Sequence, residues 1–386
     1  MPDPALQDAP ESEAAGRSAA LAERIVEAIG REQGWIPFDR FMRMALYEPG
    51  LGYYSSDARK FGPGGDFVTA PEMTSLFGRA LARQVAQVLR RAGGDILELG
   101  PGTGRLAVDL LRELERLGAL PRTYSMLELS AGLRGRQRLR LASEMPHMAD
   151  RVRWLDRLPE AFTGVIVANE VLDAVPVHLV AWTGGGVRER GVTWSGERFA
   201  WEDRPIASPL LRQAASEIDV NPPYVSEIGL EARALVATLG HRLQRGVVLL
   251  VDYGFGRAEY YHPQRSRGTL MCHHRHRSHD EPLVLPGLQD ITAHVDFTAV
   301  AEAGVDAGLS LLGYTCQGRF LIDCGLLDLV AEVSPQDAGR YLPLASQVNR
   351  LTSPAEMGEL FKVMALGRRF DEPLCGFASG GLSRLL

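Results

Sequence analysis

Asp95-Ile96-Leu97-Glu98-Leu99-Gly100-Pro101-Gly102-Thr103-Gly104-Arg105 carries a short apolar strand into a glycine turn, and the turn into an amphipathic helix. Glycines at 100, 102 and 104 let the backbone bend sharply and approach a ligand with no Cβ in the way. Downstream, Leu106, Val108, Leu110, Leu111, Leu114 and Leu117 recur among Arg, Asp and Glu at helical spacing, so the turn ends at a helix N-terminus. The partial positive charge and free N–H groups of such an end suit a carboxylate or a phosphate. The stretch reads as the floor of a nucleoside-cofactor site, set against the plainer alternative of a turn that only packs helix on strand.

Spacing separates two cofactor classes. The dinucleotide fingerprint needs G-x-G-x-x-G, and counting from Gly100 puts Arg105 where its third glycine would fall. The order here is Glu98-x-Gly100-x-Gly102-x-Gly104, which resembles the first motif of Rossmann-like methyltransferases that use S-adenosyl-L-methionine. Glu128 closes the next apolar stretch, Tyr124-Ser125-Met126-Leu127, where a carboxylate can hold two ribose hydroxyls. NAD enzymes place a carboxylate similarly, so Glu128 alone does not decide between the classes.

The 386 residues allow one large α/β domain with additions or two domains, with a substantial core. With 45% hydrophobic and 23% charged residues the composition is that of an ordinary soluble chain. A net charge of −6 gives no broad electrostatic footprint for nucleic acid. No apolar run approaches the roughly 18 to 20 residues needed to span a bilayer. Asp3, Asp8, Glu11 and Glu13 precede the first Arg, against a secretory signal or an Arg-rich transit peptide. The four cysteines, Cys272, Cys316, Cys324 and Cys375, show no C-x-x-C spacing and fit a reduced cytoplasm.

Residues 1–16 read as a disordered tail. Leu21, Ile25, Val26 and Ile29 predict one helix, and Phe38, Phe41, Met42, Ala45 and Leu46 a second. A glycine-rich loop then ends in Thr69-x-x-Glu72, a capping box with Pro71 in the first turn, opening a helix that buries Leu76, Phe77, Ala80, Leu81, Val85 and Val88. The loop is either a linker or a lid that closes over a cofactor. Beyond the Gly100 turn, strands are predicted at 123–127, 152–154, 164–168, 178–182 and 246–251, with a helix from Ser226 to Leu243, as in a parallel sheet wound with helices. Ligands in such sheets bind beyond the carboxyl ends of the strands.

The strand Val165–Ala168 runs into Asn169-Glu170-Val171-Leu172-Asp173-Ala174-Val175-Pro176-Val177-His178. Glu170 and Asp173 make a clamp for a cationic acceptor, and a guanidinium is the natural partner of a carboxylate. The plainer reading has Asp173 capping a turn and Glu170 in solvent. The run Cys272-His273-His274-Arg275-His276-Arg277-Ser278-His279-Asp280 is read as a polar loop, because alternating arginines repel a cation and no second ligand pair stands at zinc spacing. No metal is expected. His294 is either an acid/base residue or a hydrogen-bonded loop histidine.

Several separated stretches together resemble the MidA-type methyltransferases, relatives of the mitochondrial complex I assembly factor that methylates arginine: Gly65-Asp66-Phe67-Val68-Thr69-Ala70-Pro71-Glu72, Leu97–Gly104, Ala168–His178, Val251-Asp252-Tyr253-Gly254 and Asp290–Phe297. The resemblance implies a Rossmann-like class I methyltransferase sheet with N-terminal helices and inserted substrate-binding segments. It implies that Asp66, Thr69 and Pro71 close over S-adenosyl-L-methionine beside Gly100, Gly102, Gly104 and Glu128, and that Asn169 lines the pocket. Glu170 and Asp173 would then act on an arginine side chain of a protein, with His178 and His294 as substrate contacts. The mitochondrial members begin with a transit peptide and this chain does not, which suggests a bacterial cytoplasmic relative.

The expected organisation is a tail over 1–16, helices and a lid loop over 17–92, core over 93–183, an insertion over 184–225, core over 226–253, a His/Arg-rich insertion over 254–295, and the end of the core with terminal helices over 296–386. Small-molecule O- or N-methylation, and a cofactor-binding assembly chaperone with little turnover, are the other functions this pattern allows. The oligomeric state stays open, a homodimer included.

Overall fold

The computed structural model describes residues 12–56 and 69–386. Asp66 and the Gly65–Val68 part of the expected lid lie outside the described residues. The chain forms two compact units that interleave along the sequence, one from residues up to 56, 173–232 and 258–295, the other from 69–172, 233–257 and 296–386.

The second unit contains the glycine turn. Its sheet comprises β1 (Asp95–Leu99), β2 (Tyr124–Leu127), β3 (Val152–Leu155), β4 (Phe162–Asn169), β5 (Leu243–Phe255), β6 (Ser310–Cys316) and β7 (Phe361–Arg368). These seven follow one another in the order β6-β7-β5-β4-β1-β2-β3. β5, β4, β1, β2 and β3 are parallel, and β7 runs antiparallel to both β5 and β6. Val165-Ile166-Val167-Ala168 and Val247-Val248-Leu249-Leu250-Val251 are unbroken apolar runs rather than alternating ones, because central parallel strands are buried on both faces. Leu99 lies level with Leu127 and with Ala168, so the chain leaves β1, β2 and β4 at one edge of the sheet.

Helices α1 (Ser75–Ala92), α2 (Arg105–Arg116) and α3 (Ala131–Glu144) belong to the same unit. Phe77, Leu81 and Val85 of α1 share a core with Leu106, Leu110 and Leu114 of α2 and with Val165 and Val247 of the sheet. Each such fully buried side chain contributes about 1.5–3 kcal/mol.

The first unit is antiparallel. His178–Thr183 pairs with Gly186–Trp194 on one side and Tyr224–Ile228 on the other, and Ile36–Pro37 and Phe199–Pro205 flank Gly186–Trp194. A second small sheet joins Arg277–His279, Met271–His274 and Asp290–Thr292. Leu21, Ile25, Phe38, Phe41, Val192 and Ile291 form the core.

Four local expectations change. His178–Trp182 does not continue the parallel sheet: only Gly184 and Gly185 separate paired Thr183 and Gly186, and a parallel return needs a crossover of roughly a dozen residues or more. The helix expected from Ser226 begins at Leu230, because Tyr224–Ile228 is a strand. Thr69 opens only the four-residue helix Ala70–Met73; the chain is extended at Thr74, whose hydroxyl accepts the Leu76 amide at 3.3 Å and caps α1. The first helix spans Ser12–Arg31 and so takes in residues read as tail. β6 and β7, which carried no strand expectation, complete the sheet as its antiparallel edge.

Candidate cofactor and acceptor site

The turn after β1 is built on left-handed backbone, with φ of +56° at Gly100, +52° at Gly102 and +80° at Gly104. A Cβ on Gly100 would stand 3.0 Å from Val171 Cγ2, and one on Gly104 3.2 Å from Gln137 Cγ. Residues with side chains would be strained there by backbone and by neighbours alike. The Gly100 amide donates to the Leu127 carbonyl at 3.1 Å, and the Gly104 amide to that of Pro101 at 2.8 Å, which closes the turn at the start of α2.

Glu128 follows β2 and is buried. Its Oε1 accepts the Ser130 amide at 2.8 Å and its Oε2 accepts Gln137 Nε2 at 3.1 Å. Ser130 in turn caps α3 by accepting the Leu133 amide at 3.3 Å. Glu98, on β1, is buried and accepts the Tyr124 hydroxyl at 2.8 Å. Burial pushes its carboxyl up to about 7, against the pull of the Tyr124 bond and with the Glu128 charge adding to the rise.

Asn169 ends β4. Its Nδ2 donates to Glu170 Oε1 at 3.1 Å, while its buried Oδ1 has no hydrogen-bond partner among the described residues. Glu170 has a φ of +52°, which few L residues adopt outside functional sites, and its amide donates to the Val251 carbonyl at 2.8 Å. Asp252, at the end of the neighbouring parallel strand, accepts the amides of Val171 at 3.1 Å and Leu172 at 2.9 Å. Those bonds hold the turn that presents Glu170.

The short helix Ala70–Met73, with Pro71 in its first turn, is tied to the glycine turn. Glu72 accepts the Thr103 hydroxyl, and Arg140 Nη1 donates to Thr103 Oγ1 at 3.0 Å while lying 3.6 Å from Glu72. Thr69 precedes that helix without a side-chain cap bond.

The second unit therefore brings together Thr69, Pro71, Gly100, Gly102, Gly104, Glu128, Asn169 and Glu170. Asp173, His178 and His294 belong to the first unit. Asp173 is buried, and its carbonyl accepts the Ala293 amide at 3.0 Å. Burial first, then the carboxylates of Asp290 and Asp173, raise the hydroxyl pKa of Tyr54, which donates to Asp290 at 2.9 Å. His178 Nδ1 lies 2.8 Å from Glu189 Oε1 and 3.5 Å from Asp39 Oδ1. Burial lowers the His178 pKa, but the Glu189 hydrogen bond and the two carboxylate charges outweigh it and raise the value overall. The His294 amide donates to Thr269 Oγ1 at 3.0 Å. In the Cys272–Asp280 run, Cys272 is paired across a sheet with His279, and burial together with Asp290, Asp280 and Glu281 pushes its thiol far up, disfavouring a thiolate ligand.

Sequence reading gave no role to Asp252 and Thr103, which it quoted only within longer motifs, and missed Gln137 and Arg140. Gln137 carried a signal: it stands between Leu133 and Leu141 on the buried stripe of α3, and a polar side chain on such a stripe has to be hydrogen-bonded.

The residues present fit S-adenosyl-L-methionine: a turn of left-handed glycine backbone, a fixed carboxylate one strand away, and a buried amide oxygen with bonding capacity unused. A family model described as S-adenosyl-L-methionine-dependent methyltransferase matches residues 79–315. A Burkholderia thailandensis protein crystallised with S-adenosyl-homocysteine is 50% identical, with a TM-score of 0.95 over 98% of this chain and 100% of that one. The protein arginine methyltransferase NDUFAF7 of Danio rerio, mitochondrial, is 30% identical over 90% of this chain and 85% of its own length. Its Drosophila melanogaster homolog is 29% identical over 98% of this chain and 93% of its own. The chain belongs to this family of S-adenosyl-L-methionine-dependent methyltransferases.

Proposed function

We propose that this methyltransferase modifies an arginine side chain of a protein, a subunit of a respiratory or other multi-subunit complex, in a reducing cytoplasm. The observation that carries the reading is Glu170, a carboxylate held by Asn169 on left-handed backbone at the carboxyl end of β4. Strain of that kind persists only where the surroundings enforce it, and here Val251 and Asp252 do so. The NDUFAF7 relatives, named as arginine methyltransferases, support the choice of acceptor.

In this proposal Gly100, Gly102 and Gly104 cradle the cofactor, Glu128 takes the ribose hydroxyls, Asn169 Oδ1 accepts a donor from the same ligand, and Asp66, Thr69 and Pro71 lie over it. S-adenosyl-L-methionine supplies an electrophilic methyl group on a sulfonium. Glu170 pairs with the guanidinium, orients its nitrogen and accepts the proton that nitrogen loses on methylation. Asp173, three residues further on, is proposed as a second carboxylate on the strength of that spacing, and His178 and His294 as acceptor contacts.

Mass spectrometry of proteins from cells with and without the gene tests the acceptor: an arginine methylated only when the gene is present supports the proposal, and a changed small molecule with no such arginine defeats it. Calorimetry with S-adenosyl-L-methionine tests the site, where Gly102→Val is expected to abolish binding.

A further inference from the structure

Gln137 has no exposed surface, so its amide has to be satisfied from within. Nε2 donates to the Gly102 carbonyl at 2.7 Å and to Glu128 Oε2 at 3.1 Å. Oε1 accepts the indole N–H of Trp154, on β3, at 2.8 Å. An indole N–H can only donate, so Trp154 decides which end of the amide faces which way: oxygen toward β3, the NH2 group toward the carbonyl and the carboxylate. Gly104 lies close against α3, where a Cβ would stand 3.2 Å from Gln137 Cγ. One amide thus joins the glycine turn, the carboxylate after β2 and the next strand.

We infer that Gln137 is a positioning residue, set by Trp154, that orients the Glu128 carboxylate for the two ribose hydroxyls of the cofactor. The inference rests on the reading of Glu128 as the ribose carboxylate. With Oε1 held by the Ser130 amide and Oε2 by Gln137, the carboxylate is fixed in one orientation. The bond to Gly102 adds to the Gly100–Leu127 and Gly104–Pro101 bonds that already close the turn, so the turn stays placed without it.

The test is calorimetric, on the full chain, with S-adenosyl-homocysteine and its 2′,3′-dideoxy analogue. Gln137→Leu is expected to weaken S-adenosyl-homocysteine about tenfold and the dideoxy analogue less than about twofold, since only the former reports on Glu128. Trp154→Phe, which frees the amide to turn over, is expected to show the same ligand dependence at smaller size and carries the comparison if Gln137→Leu does not fold. In a Glu128→Ala background Gln137→Leu should add little. Equal losses for both ligands, or additive losses in the double variant, overturn the inference and leave Gln137 a packing residue. Unchanged S-adenosyl-homocysteine binding by Glu128→Ala removes the ribose reading itself, and the inference with it.

Discussion

Asp252 holds the amide of Leu172 at 2.9 Å, from one parallel strand to the turn that follows the next. With its 3.1 Å bond to Val171 it is the carboxylate around which the Glu170 turn is folded. Asp252→Ala removes the acceptor of both amides. Methyl transfer is expected to fall about 10- to 100-fold in kcat while cofactor affinity changes less than about threefold, because Glu128 and the glycine turn are held by other partners. Single-turnover rates beside calorimetric Kd values check this; a loss confined to Kd would assign Asp252 to the cofactor instead.

Glu170 stands at a φ of +52°, so its backbone prefers glycine while its proposed role needs a carboxylate. Left-handed backbone costs an L residue about 1–2 kcal/mol. Glu170→Gly is therefore expected to be more stable than Glu170→Ala by about 1 kcal/mol in chemical denaturation, with both inactive in methyl transfer. Equal stabilities would show that the turn stores no strain; retained methylation would remove Glu170 from the chemistry.

Glu98 gives stability a pH dependence. Its carboxyl is pushed from 4.5 up to about 7 in the folded chain, chiefly by burial. Between those values the folded state keeps a proton that the unfolded state has lost, so this group's contribution to stability declines as pH rises from 4.5 and levels off above about 7. The loss amounts to about 3 kcal/mol. Urea unfolding of Glu98→Gln at pH 5 and pH 8 is expected to lack that decline; an unchanged slope would mean that Glu98 is ionised in the native state.

His178 acts in the opposite sense from its place between two carboxylates. Burial alone would lower its pKa from 6.5, but the hydrogen bond to Glu189 and the charges of Asp39 and Glu189 raise it. The stability this supplies is complete below pH 6.5 and is lost as pH rises through the higher folded value, when Asp39 and Glu189 are left without the cation. His178→Gln should unfold at lower urea than the parent at pH 6 and should close part of that gap at higher pH. A gap that widened with pH would put His178 in its neutral form throughout.

The strand, glycine turn and helix at 95–116 were legible because each needs only local information: an apolar run, positions that only glycine occupies without strain, and a 3.6-residue apolar stripe. The same holds for the helices of the N-terminal stretch. Ser226–Leu243 was harder, since Tyr224–Ile228 becomes a strand only through pairing with His178–Trp182, far away in the chain. β6 and β7 likewise acquire their role from each other and from β5.

Sequence alone determined the cofactor class and the strand, turn and helix proposed as its floor, since glycine spacing and the carboxylate after β2 are properties of short segments. Tertiary structure decided how that site is held. Gln137 meets Gly102 across 35 residues and Asp252 meets Leu172 across 80, and no periodicity joins positions so far apart. Their bonds form only once parallel strands bring their carboxyl ends to one edge, where a buried amide or carboxylate must take whichever partners the fold provides.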